Sequence, residues 1–337
     1  MNEQPKLTIK DFTSDQEVRW CPGCGDYAIL KCMQRTLPEL GATPENTVFV
    51  SGIGCSSRFP YYMATYGFHT IHGRAPAVAT GLKMAQPDLD VWVVTGDGDG
   101  LSIGGNHLMH ALRRNVDLNI LLFNNKIYGL TKGQYSPTSE PGLKTPSTPM
   151  GSVDPALNPV AFALGVGVRF AARTVDTAQK HMPGVFTAAH RFKGASFVEI
   201  LQNCIVYYDQ AWGDVTNKAT AADRQLHLEI GEPMLFGKER DKGIRFNVKT
   251  MALESITIGE DGMTLDDVLV HDPSSLIMAR MIAEIGFGDG LPVAMGVIYE
   301  SPTDISYEQA VLAQVREAPG PASLKDVMHS GQTWTVA

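Results

Sequence analysis

The sequence predicts an α/β fold, in which a parallel β-sheet is flanked by helices and followed by a C-terminal extension. Helical and strand patterns alternate along the first two thirds of the chain, and this alternation is typical of parallel sheets. Several apolar strands end in turns rich in glycine or asparagine, where parallel sheets place their ligand sites. The 337 residues are enough to bury a large core.

Each element of this fold has its own pattern of apolar and polar residues. Helical periodicity, β-branched runs and breaker residues set the expected bounds. In chain order we expect a helix over 27–37, a strand over 47–50, a helix over 76–84, a strand over 90–95, a helix over 106–114, a strand over 118–123, a helix over 159–164, a strand over 167–172, a helix over 177–192 and a strand over 195–201.

The regular alternation stops after about residue 207. We therefore expect a core domain over 1–207 and an extension over 208–337 that packs on the core or on a partner subunit. The charged stretch 237–248 is expected to be a solvated face. A helical pattern returns over 271–285, and a strand is expected over 292–299.

Composition narrows the classes of function. The net charge of −8 argues against binding nucleic acid as a main role. No apolar stretch approaches the length of a membrane helix, and the first residues lack the apolar centre of a signal peptide. Five irregularly spaced cysteines do not suggest a secreted disulfide framework. We expect a cytoplasmic protein.

The most informative segment contains two neighbouring strands with polar turns at their ends. Gly96, Asp97 and Gly98 follow the first strand, and Asn125 lies 28 positions after Asp97, just past the second. A carboxylate, an amide oxygen and the backbone carbonyl of Ile127 suit a Mg²⁺ ion that carries a diphosphate. The helix over 106–114 is expected to turn its N-terminal amides toward that anion. Taken alone, the Gly-Asp-Gly sequence also fits an ordinary tight turn.

Four of the cysteines lie in three turns. Cys21 and Cys24 form a CxxC motif, Cys55 lies in a glycine-rich turn, and Cys204 follows a strand. Four thiolates are the usual ligands of a [4Fe–4S] cluster. A structural zinc site, a redox-active CxxC and simple buried thiols remain alternatives at this point. Cys32 lies within a helical run and is expected to be a packing residue.

A proline-rich segment over 136–159 follows directly after the loop that begins at Asn125 and ends at Gln134. Long loops without regular structure are usually functional or disordered. We expect an ordered strap over the cofactor, and a flexible linker is the alternative.

These motifs together resemble the β subunits of 2-oxoacid:ferredoxin oxidoreductases, which bind thiamine diphosphate (ThDP), and the opening residues are most similar to the 2-oxoglutarate-specific members. The motifs run from about residue 18 to 210. They are WCPGCG from Trp20, GIGCS from Gly52, HGRA from His72, GDGDG from Gly96, NNKIYGLTKGQ from Asn124, SPT from Ser136 and NC from Asn203.

The resemblance implies three sets of site residues. It implies a [4Fe–4S] cluster on Cys21, Cys24, Cys55 and Cys204, and Mg²⁺ on Asp97, Asn125 and the Ile127 carbonyl. The ThDP contacts that we expect are Gly54, Cys55, Ser56, His72, Gly96, Asp97, Gly98, Asp99, Asn125, Tyr128, Gly129, Leu130 and Thr131.

The resemblance also implies an activity and partners. The expected reaction is the coenzyme A-dependent oxidative decarboxylation of a 2-oxoacid, favoured as 2-oxoglutarate, with electrons passed to ferredoxin. An α subunit is implied to carry the pyrimidine-binding domain, in an α2β2 assembly. Two alternatives remain: a non-redox ThDP decarboxylase, and a zinc-stabilised scaffold without turnover. Pyruvate or a broad 2-oxoacid specificity is also open.

Substrate contacts are predicted from positive charge near these motifs. Arg58 is our preferred partner for the distal carboxylate of a dicarboxylate substrate, because guanidinium groups bind carboxylates bidentately. His72 and Lys132 are further candidates for substrate contact. For each of them, an ordinary surface or structural ion pair is the competing interpretation.

Overall fold

The computed structural model describes residues 6–318 and 323–336. In chain order the strands are β1 (Thr47–Ser51), β2 (Tyr66–His69), β3 (Asp90–Gly96), β4 (Asn119–Asn124), β5 (Ile127–Tyr128), β6 (Gln134–Tyr135), β7 (Phe170–Val175), β8 (Ser196–Leu201), β9 (Gln225–His227), β10 (Leu235–Phe236), β11 (Lys242–Asn247), β12 (Ala252–Thr257) and β13 (Val293–Glu300). The α-helices are α1 (Asp26–Glu39), α2 (Ala75–Ala85), α3 (Gly105–Arg114), α4 (Pro159–Gly165), α5 (Met182–Arg191), α6 (Gly213–Thr216), α7 (Ala221–Arg224), α8 (Leu276–Glu284), α9 (Tyr307–Glu317) and α10 (Leu324–Met328). No helix within these described ranges is both long and apolar enough to cross a membrane.

An eight-stranded sheet forms the centre of the molecule, in the order β2-β1-β3-β4-β8-β7-β13-β9. The first six strands in this spatial order, β2, β1, β3, β4, β8 and β7, run parallel to one another. Strand β13 is antiparallel to β7, so the sheet is mainly parallel rather than wholly parallel. The carboxyl ends of β1, β3, β4 and β8 therefore meet at one edge of the sheet, as the motif positions require.

Helices cover both faces of the sheet, and the alternation of side chains along the strands explains why. Val48 and Val50 of β1 pack into one apolar cluster with α2, α3, α4 and α8. Phe49 lies between them and packs into a second cluster with α1 and α5. A strand that buries both faces needs a continuous apolar run, as β1 has over 48–50 and β3 has over 91–94.

Strands β2, β5 and β6 were not predicted, and most of the predicted elements of the first two hundred residues lie close to their expected positions, with two clear shifts. The helix expected over 177–192 begins only at Met182, because Pro183 must stay within the first helical turn. The strand expected over 167–172 is β7, which begins three residues later at Phe170.

The C-terminal third packs on the core. Strands β9 and β13 join the main sheet, and a small antiparallel sheet of β10, β11 and β12 lies beside them. The prediction that 237–248 is a solvated face is wrong, because this stretch contains β11, whose Ile244 is fully buried. The run of charged residues over 238–242, followed by Arg245, masked the strand pattern in the sequence.

The proline-rich segment 136–159 is an ordered strap, as expected. Its first residues are buried and hydrogen-bonded to the ends of β3 and β4. Further along, the amide of Gly142 donates to the carbonyl of Ser152, which closes the strap on itself. The strap therefore holds a fixed position against the edge of the sheet where the motifs meet.

Candidate functional site

A cleft at the carboxyl ends of β1, β3 and β4 brings the predicted cofactor residues together. All of the thirteen expected ThDP contacts, from Gly54 to Thr131, line this cleft, and so does Ile127. Residues 102–105 do not line it, because a π-helical turn over Asp99–Ile103 precedes α3. That helical amides at this end of α3 face the anion stays a prediction, because the helical run that leads into α3 begins at Gly98, which does line the cleft.

Asp97 is held at the floor of the cleft as a nearly buried carboxylate. The hydroxyls of Ser136 and Thr138 approach the same oxygen, Oδ2, at 2.5 and 2.6 Å. This arrangement leaves Oδ1 without a side-chain partner within the described residues. Burial raises the pKa of the Asp97 carboxyl to about 6, against the opposing effect of the two hydroxyls.

The paired asparagines at the end of β4 have different roles. Asn124 is buried and turns inward, where its side chain contacts Glu199 and Thr138. Asn125 lines the cleft, and its Oδ1 accepts a hydrogen bond from the amide of Ile127 at 3.2 Å. The second asparagine therefore offers an amide oxygen near Asp97, while the first fixes the turn.

Asp99 lines the cleft but acts chiefly as a clamp between loops. Its carboxylate accepts hydrogen bonds from the amides of Ile53 and Gly73, from His72 Nδ1 and from the Thr95 hydroxyl. Because His72 Nδ1 donates its hydrogen bond to the Asp99 carboxylate, Nε2 is left to interact with a ligand in the cleft. Asp99 also lines the cleft, so a direct contact between Asp99 and ThDP stays a prediction.

Tyr128 and Gly98 are in direct contact across the cleft. The Tyr128 hydroxyl donates to the carbonyl oxygen of Gly98 at 3.0 Å. A Cβ atom at Gly98 would lie 2.2 Å from the Tyr128 ring, so only glycine fits there.

The four predicted cluster cysteines converge beside the same cleft. Gly129 lies against two of them: a Cβ at that position would sit 3.4 Å from Cys204 Sγ and 3.6 Å from Cys55 Sγ. Cys24 accepts a hydrogen bond from Gln202 at 3.3 Å, and Cys21 lies exposed one turn earlier. The fifth cysteine is buried in α1 and bonded to Thr36, as a packing residue should be.

Burial and repulsion from nearby charges keep the thiols of Cys24 and Cys55 protonated when no metal is bound. Burial raises the pKa of the Cys55 thiol to about 12, with further contributions from Asp26, Cys204 and Cys21. The pKa of Cys24 is raised for the same main reason. Bound iron would reverse this effect, since a coordinated thiol is deprotonated outright. Among the side chains that the structure describes, no group of three His, Cys, Asp or Glu is arranged to hold a single metal ion.

The predicted substrate residues differ in their positions. Arg58 is half-buried in a shallow pocket that adjoins the cleft through Ile53, Gly54 and Leu130. No carboxylate pairs with Arg58 among the described residues, so its guanidinium is available to a ligand. Lys132 is exposed and lies outside the lining of the cleft.

Sequence reasoning missed the residues that hold Asp97 in place. Ser136 and Thr138 belong to a motif of the resemblance but were given no role. The signal was weak, since hydroxyl residues at the start of a proline-rich loop indicate only a turn. A separate and clearer signal, of a buried polar network behind the cleft, was a single charged residue inside each of two mostly apolar strands, Arg173 and Glu199.

Comparisons with known proteins agree with this geometry. Residues 52–200 match a family model described as "Thiamine pyrophosphate enzyme, C-terminal TPP binding domain". The chain is 49% identical over 331 residues to 2-oxoglutarate oxidoreductase subunit KorB of Mycobacterium tuberculosis, which covers 97% of this chain and 88% of that protein. The chain belongs to the family of 2-oxoacid:ferredoxin oxidoreductase β subunits.

Other members of this β-subunit family are similar in sequence and structure. The 2-oxoacid:ferredoxin oxidoreductase subunit beta of Saccharolobus solfataricus is 37% identical over 273 residues, which are 75% of this chain and 90% of that one. A chain of the 2-oxoglutarate:ferredoxin oxidoreductase from Magnetococcus marinus, solved with 2-oxoglutarate, coenzyme A and succinyl-CoA bound, superposes with a TM-score of 0.76. The two are 32% identical, and the match covers 98% of both chains.

Proposed function

We propose that this chain is the β subunit of a ThDP- and [4Fe–4S]-dependent 2-oxoglutarate:ferredoxin oxidoreductase. The reaction converts 2-oxoglutarate and coenzyme A to succinyl-CoA and CO₂, and passes two electrons one at a time to ferredoxin. The observation that carries this proposal is that Gly129, which lines the cleft, lies against the sulfur atoms of Cys55 and Cys204, with Cys24 close to both. Relatives named for 2-oxoglutarate support the choice of substrate.

The floor of the cleft fits Mg²⁺ and a diphosphate. Asp97 Oδ1 and Asn125 Oδ1 supply oxygen ligands of the kind that Mg²⁺ prefers, and the Ile127 carbonyl is the third expected ligand. Gly96 and Gly98 have no side chain to block the phosphates. The Ser136 and Thr138 hydroxyls fix the Asp97 carboxylate, so its free oxygen is oriented before the metal arrives.

The cysteine group fits an iron–sulfur cluster better than a single zinc ion. Its four thiols come from three separate loops, and they lie around Gly129 and the start of α1. When bound, ThDP supplies an electron sink for decarboxylation, and a [4Fe–4S] cluster accepts electrons one at a time. The chain's own contribution is to hold ThDP and the cluster beside each other, next to Gly129, so that electrons need cross only a short distance.

Arg58 is the residue that we assign to the distal carboxylate of 2-oxoglutarate. It is half-buried, and its pocket opens into the cleft beside Gly54. A guanidinium without an internal partner gains a charge-assisted pair when a dicarboxylate binds. His72 lies inside the cleft with its Nδ1 held by Asp99, which orients the remaining ring nitrogen toward substrate or cofactor. The assignment of Lys132 as a substrate contact is weaker, because its side chain is exposed.

The chain contributes half of an active site. The matched family model is the C-terminal TPP-binding domain, and a complete ThDP site also needs a pyrimidine-binding domain. We assign that domain to an α subunit, in an α2β2 complex that donates electrons to ferredoxin. The naming of the relatives as β subunits supports a partner chain.

The test is turnover by the native complex. The chain is purified under anaerobic conditions together with the subunits that accompany it, and assayed on a panel of 2-oxoacids with coenzyme A and a dye acceptor. We expect dye reduction that requires coenzyme A and prefers 2-oxoglutarate. A colourless complex that releases an aldehyde without reducing the dye would instead establish a non-redox decarboxylase and refute the proposal.

A further inference from the structure

A buried ion pair lies in the middle of the main sheet, behind the cofactor cleft. Arg173 of β7 and Glu199 of β8 are neighbours in register, and both side chains are fully buried. Arg173 Nε donates to Glu199 Oε2 at 2.7 Å. Charged residues are rarely buried this completely unless they have a specific partner or task.

The second oxygen of Glu199 determines how Asn124 is oriented. Glu199 Oε1 accepts a hydrogen bond from Asn124 Nδ2 at 2.7 Å. Because an ionised carboxylate can only accept, the amide nitrogen must face Glu199 and the amide oxygen must face the opposite way. That oxygen then accepts from the amide of Lys126 at 3.3 Å and contacts the Thr138 hydroxyl at 2.8 Å.

These contacts surround the predicted metal ligands. Asn124 and Lys126 are the chain neighbours of Asn125, so the bonds of Asn124 fix the turn that presents Asn125 to the cleft. Thr138 is the same residue that holds Asp97 Oδ2 at 2.6 Å. All members of this hydrogen-bonded network are nearly or fully buried, so water cannot replace a partner that is lost. They are Arg173, Glu199, Asn124, Thr138 and Asp97.

The C-terminal third of the chain holds the far end of this network. The Arg173 guanidinium lies over the Phe287 ring, 5.0 Å from its centroid. Its Nη1 donates to the carbonyl of Ala294 at 3.4 Å. Residues of the extension therefore fix the arginine that in turn orients Glu199.

We propose that Glu199 is a positioning residue for the Mg²⁺–diphosphate site, and that it acts by accepting the hydrogen bond that fixes the side chain of Asn124, while Arg173 balances the buried charge of Glu199. The inference rests on the proposed function, since it concerns the site where ThDP is expected to bind. A purely structural ion pair is the competing explanation. Buried ion pairs can often be replaced by apolar residues without loss of stability, so the two explanations are separable.

Two double variants separate orientation from packing. Arg173→Met with Glu199→Leu removes both charges and leaves Asn124 Nδ2 without an acceptor. Arg173→Met with Glu199→Gln removes the same charges, but the introduced amide oxygen can still accept from Asn124. Both variants lose the contacts of Arg173 equally, so they differ at the Asn124 bond. Each is purified in complex with its natural partner subunits and freed of thiamine cofactor.

The readout is ThDP affinity at fixed Mg²⁺, measured by calorimetric titration, together with the melting temperature of the complex. We expect the Met/Leu pair to bind ThDP about 10- to 100-fold more weakly than wild type, and the Met/Gln pair to stay near wild type. Mn²⁺ bound with ThDP should give an altered electron paramagnetic resonance spectrum only in the Met/Leu variant.

Two outcomes would overturn the inference while leaving the proposed function intact. Wild-type affinity for ThDP in both variants would mean that the hydrogen bond from Asn124 to Glu199 is not needed to orient the Mg²⁺–diphosphate site. Equal weakening in both would mean that the arginine charge or its packing matters, rather than the acceptor for Asn124. A wild-type complex that binds no ThDP with Mg²⁺ would refute the proposed function itself, and this inference with it.

Discussion

The Tyr128 hydroxyl donates a 3.0 Å hydrogen bond to the carbonyl oxygen of Gly98. This bond joins the turn after β4 to the turn after β3, and it closes one side of the cleft. The two turns carry Asn125 and Asp97, which are the proposed Mg²⁺ ligands. Their separation is thus fixed by the protein before any cofactor binds, which lowers the cost of ordering the site on binding.

Substitution of Asp97 should remove ThDP and leave the iron–sulfur cluster in place. Asp97→Ala deletes the only carboxylate among the three proposed Mg²⁺ ligands, while the cysteines belong to other loops. We expect the purified complex to lack ThDP and to keep its visible absorbance. Asp154→Ala is the matched control, because Asp154 is an exposed residue of the same strap whose side chain, among the described residues, hydrogen-bonds only to Tyr135. Loss of both cofactors from the Asp97 variant would indicate unfolding and contradict this separation.

Substitution of Cys204 should bleach the protein. Cys204→Ser replaces a proposed iron ligand, and we expect loss of the brown colour and of most bound iron in anaerobic preparations. Cys32→Ser is the control, because Cys32 is equally a thiol but is buried in α1 away from the group. A Cys204 variant with a full iron content would rule out this cysteine as a ligand.

The parts of the site that were predictable from sequence are those in which a residue suited to binding a metal lies at the end of a predicted strand or in a glycine-rich turn. Asp97 and Asn125 follow strands, and the topology of a parallel sheet brings such positions together. The cysteines were predictable because thiols in glycine-rich turns have few common uses. The role of Asp99 was not predictable, since a second aspartate beside Asp97 looks like another ligand, and only the folded loops bring His72 to it.

The fold was predictable where the apolar pattern was continuous and unpredictable where charge interrupted it. Strands β1, β3 and β4 are buried on both faces, so their apolar runs were unmistakable. Strand β11 alternates polar and apolar residues over a half-buried sheet, and its lysine and arginine resembled a solvated surface. The antiparallel pairing of β13 with β7 depends on contacts distant in sequence, which local patterns do not reveal.

Substitution of Arg58 should weaken binding of 2-oxoglutarate selectively. Arg58→Met removes the proposed partner of the distal carboxylate, and a lost charge-assisted bond of about 1.5–3 kcal/mol corresponds to a rise in KM of about 10- to 150-fold. The KM for pyruvate, which has no second carboxylate, should be unchanged. Arg35→Met on the exposed face of α1 serves as the control. An equal loss for both substrates would refute the assigned role.

The binding of ThDP with Mg²⁺ should weaken as the pH falls below about 6. The pKa of Asp97 is raised to about 6 by burial, so below this pH a proton competes with the metal for the carboxylate. We expect affinity to fall by about tenfold for each further pH unit and to be nearly constant above pH 7. Titrations across the pH range measure this, and Asp97→Asn should abolish the pH dependence along with most of the affinity.

The same carboxyl predicts an unusual pH dependence of stability in the metal-free protein. Because the folded pKa lies above the unfolded value, Asp97 contributes most stability below pH 4, and that contribution is lost as the pH rises through 6. The difference in melting temperature between wild type and Asp97→Asn, without Mg²⁺, should therefore shift in favour of the asparagine variant as the pH rises from 4 to 7. A shift in the opposite direction would mean that the site stabilises the charged form.

Gly129 has the sulfur atoms of Cys55 and Cys204 on one side and belongs to the loop that lines the ThDP cleft. Under the proposed function, this one short peptide would serve two prosthetic groups that are chemically unrelated. Oxygen damage to the metal core should accordingly loosen the vitamin-derived coenzyme as well, although oxygen does not attack it directly. Preparations made in air would then lose both groups together, and reconstitution would succeed only when iron and sulfide are restored before thiamine diphosphate.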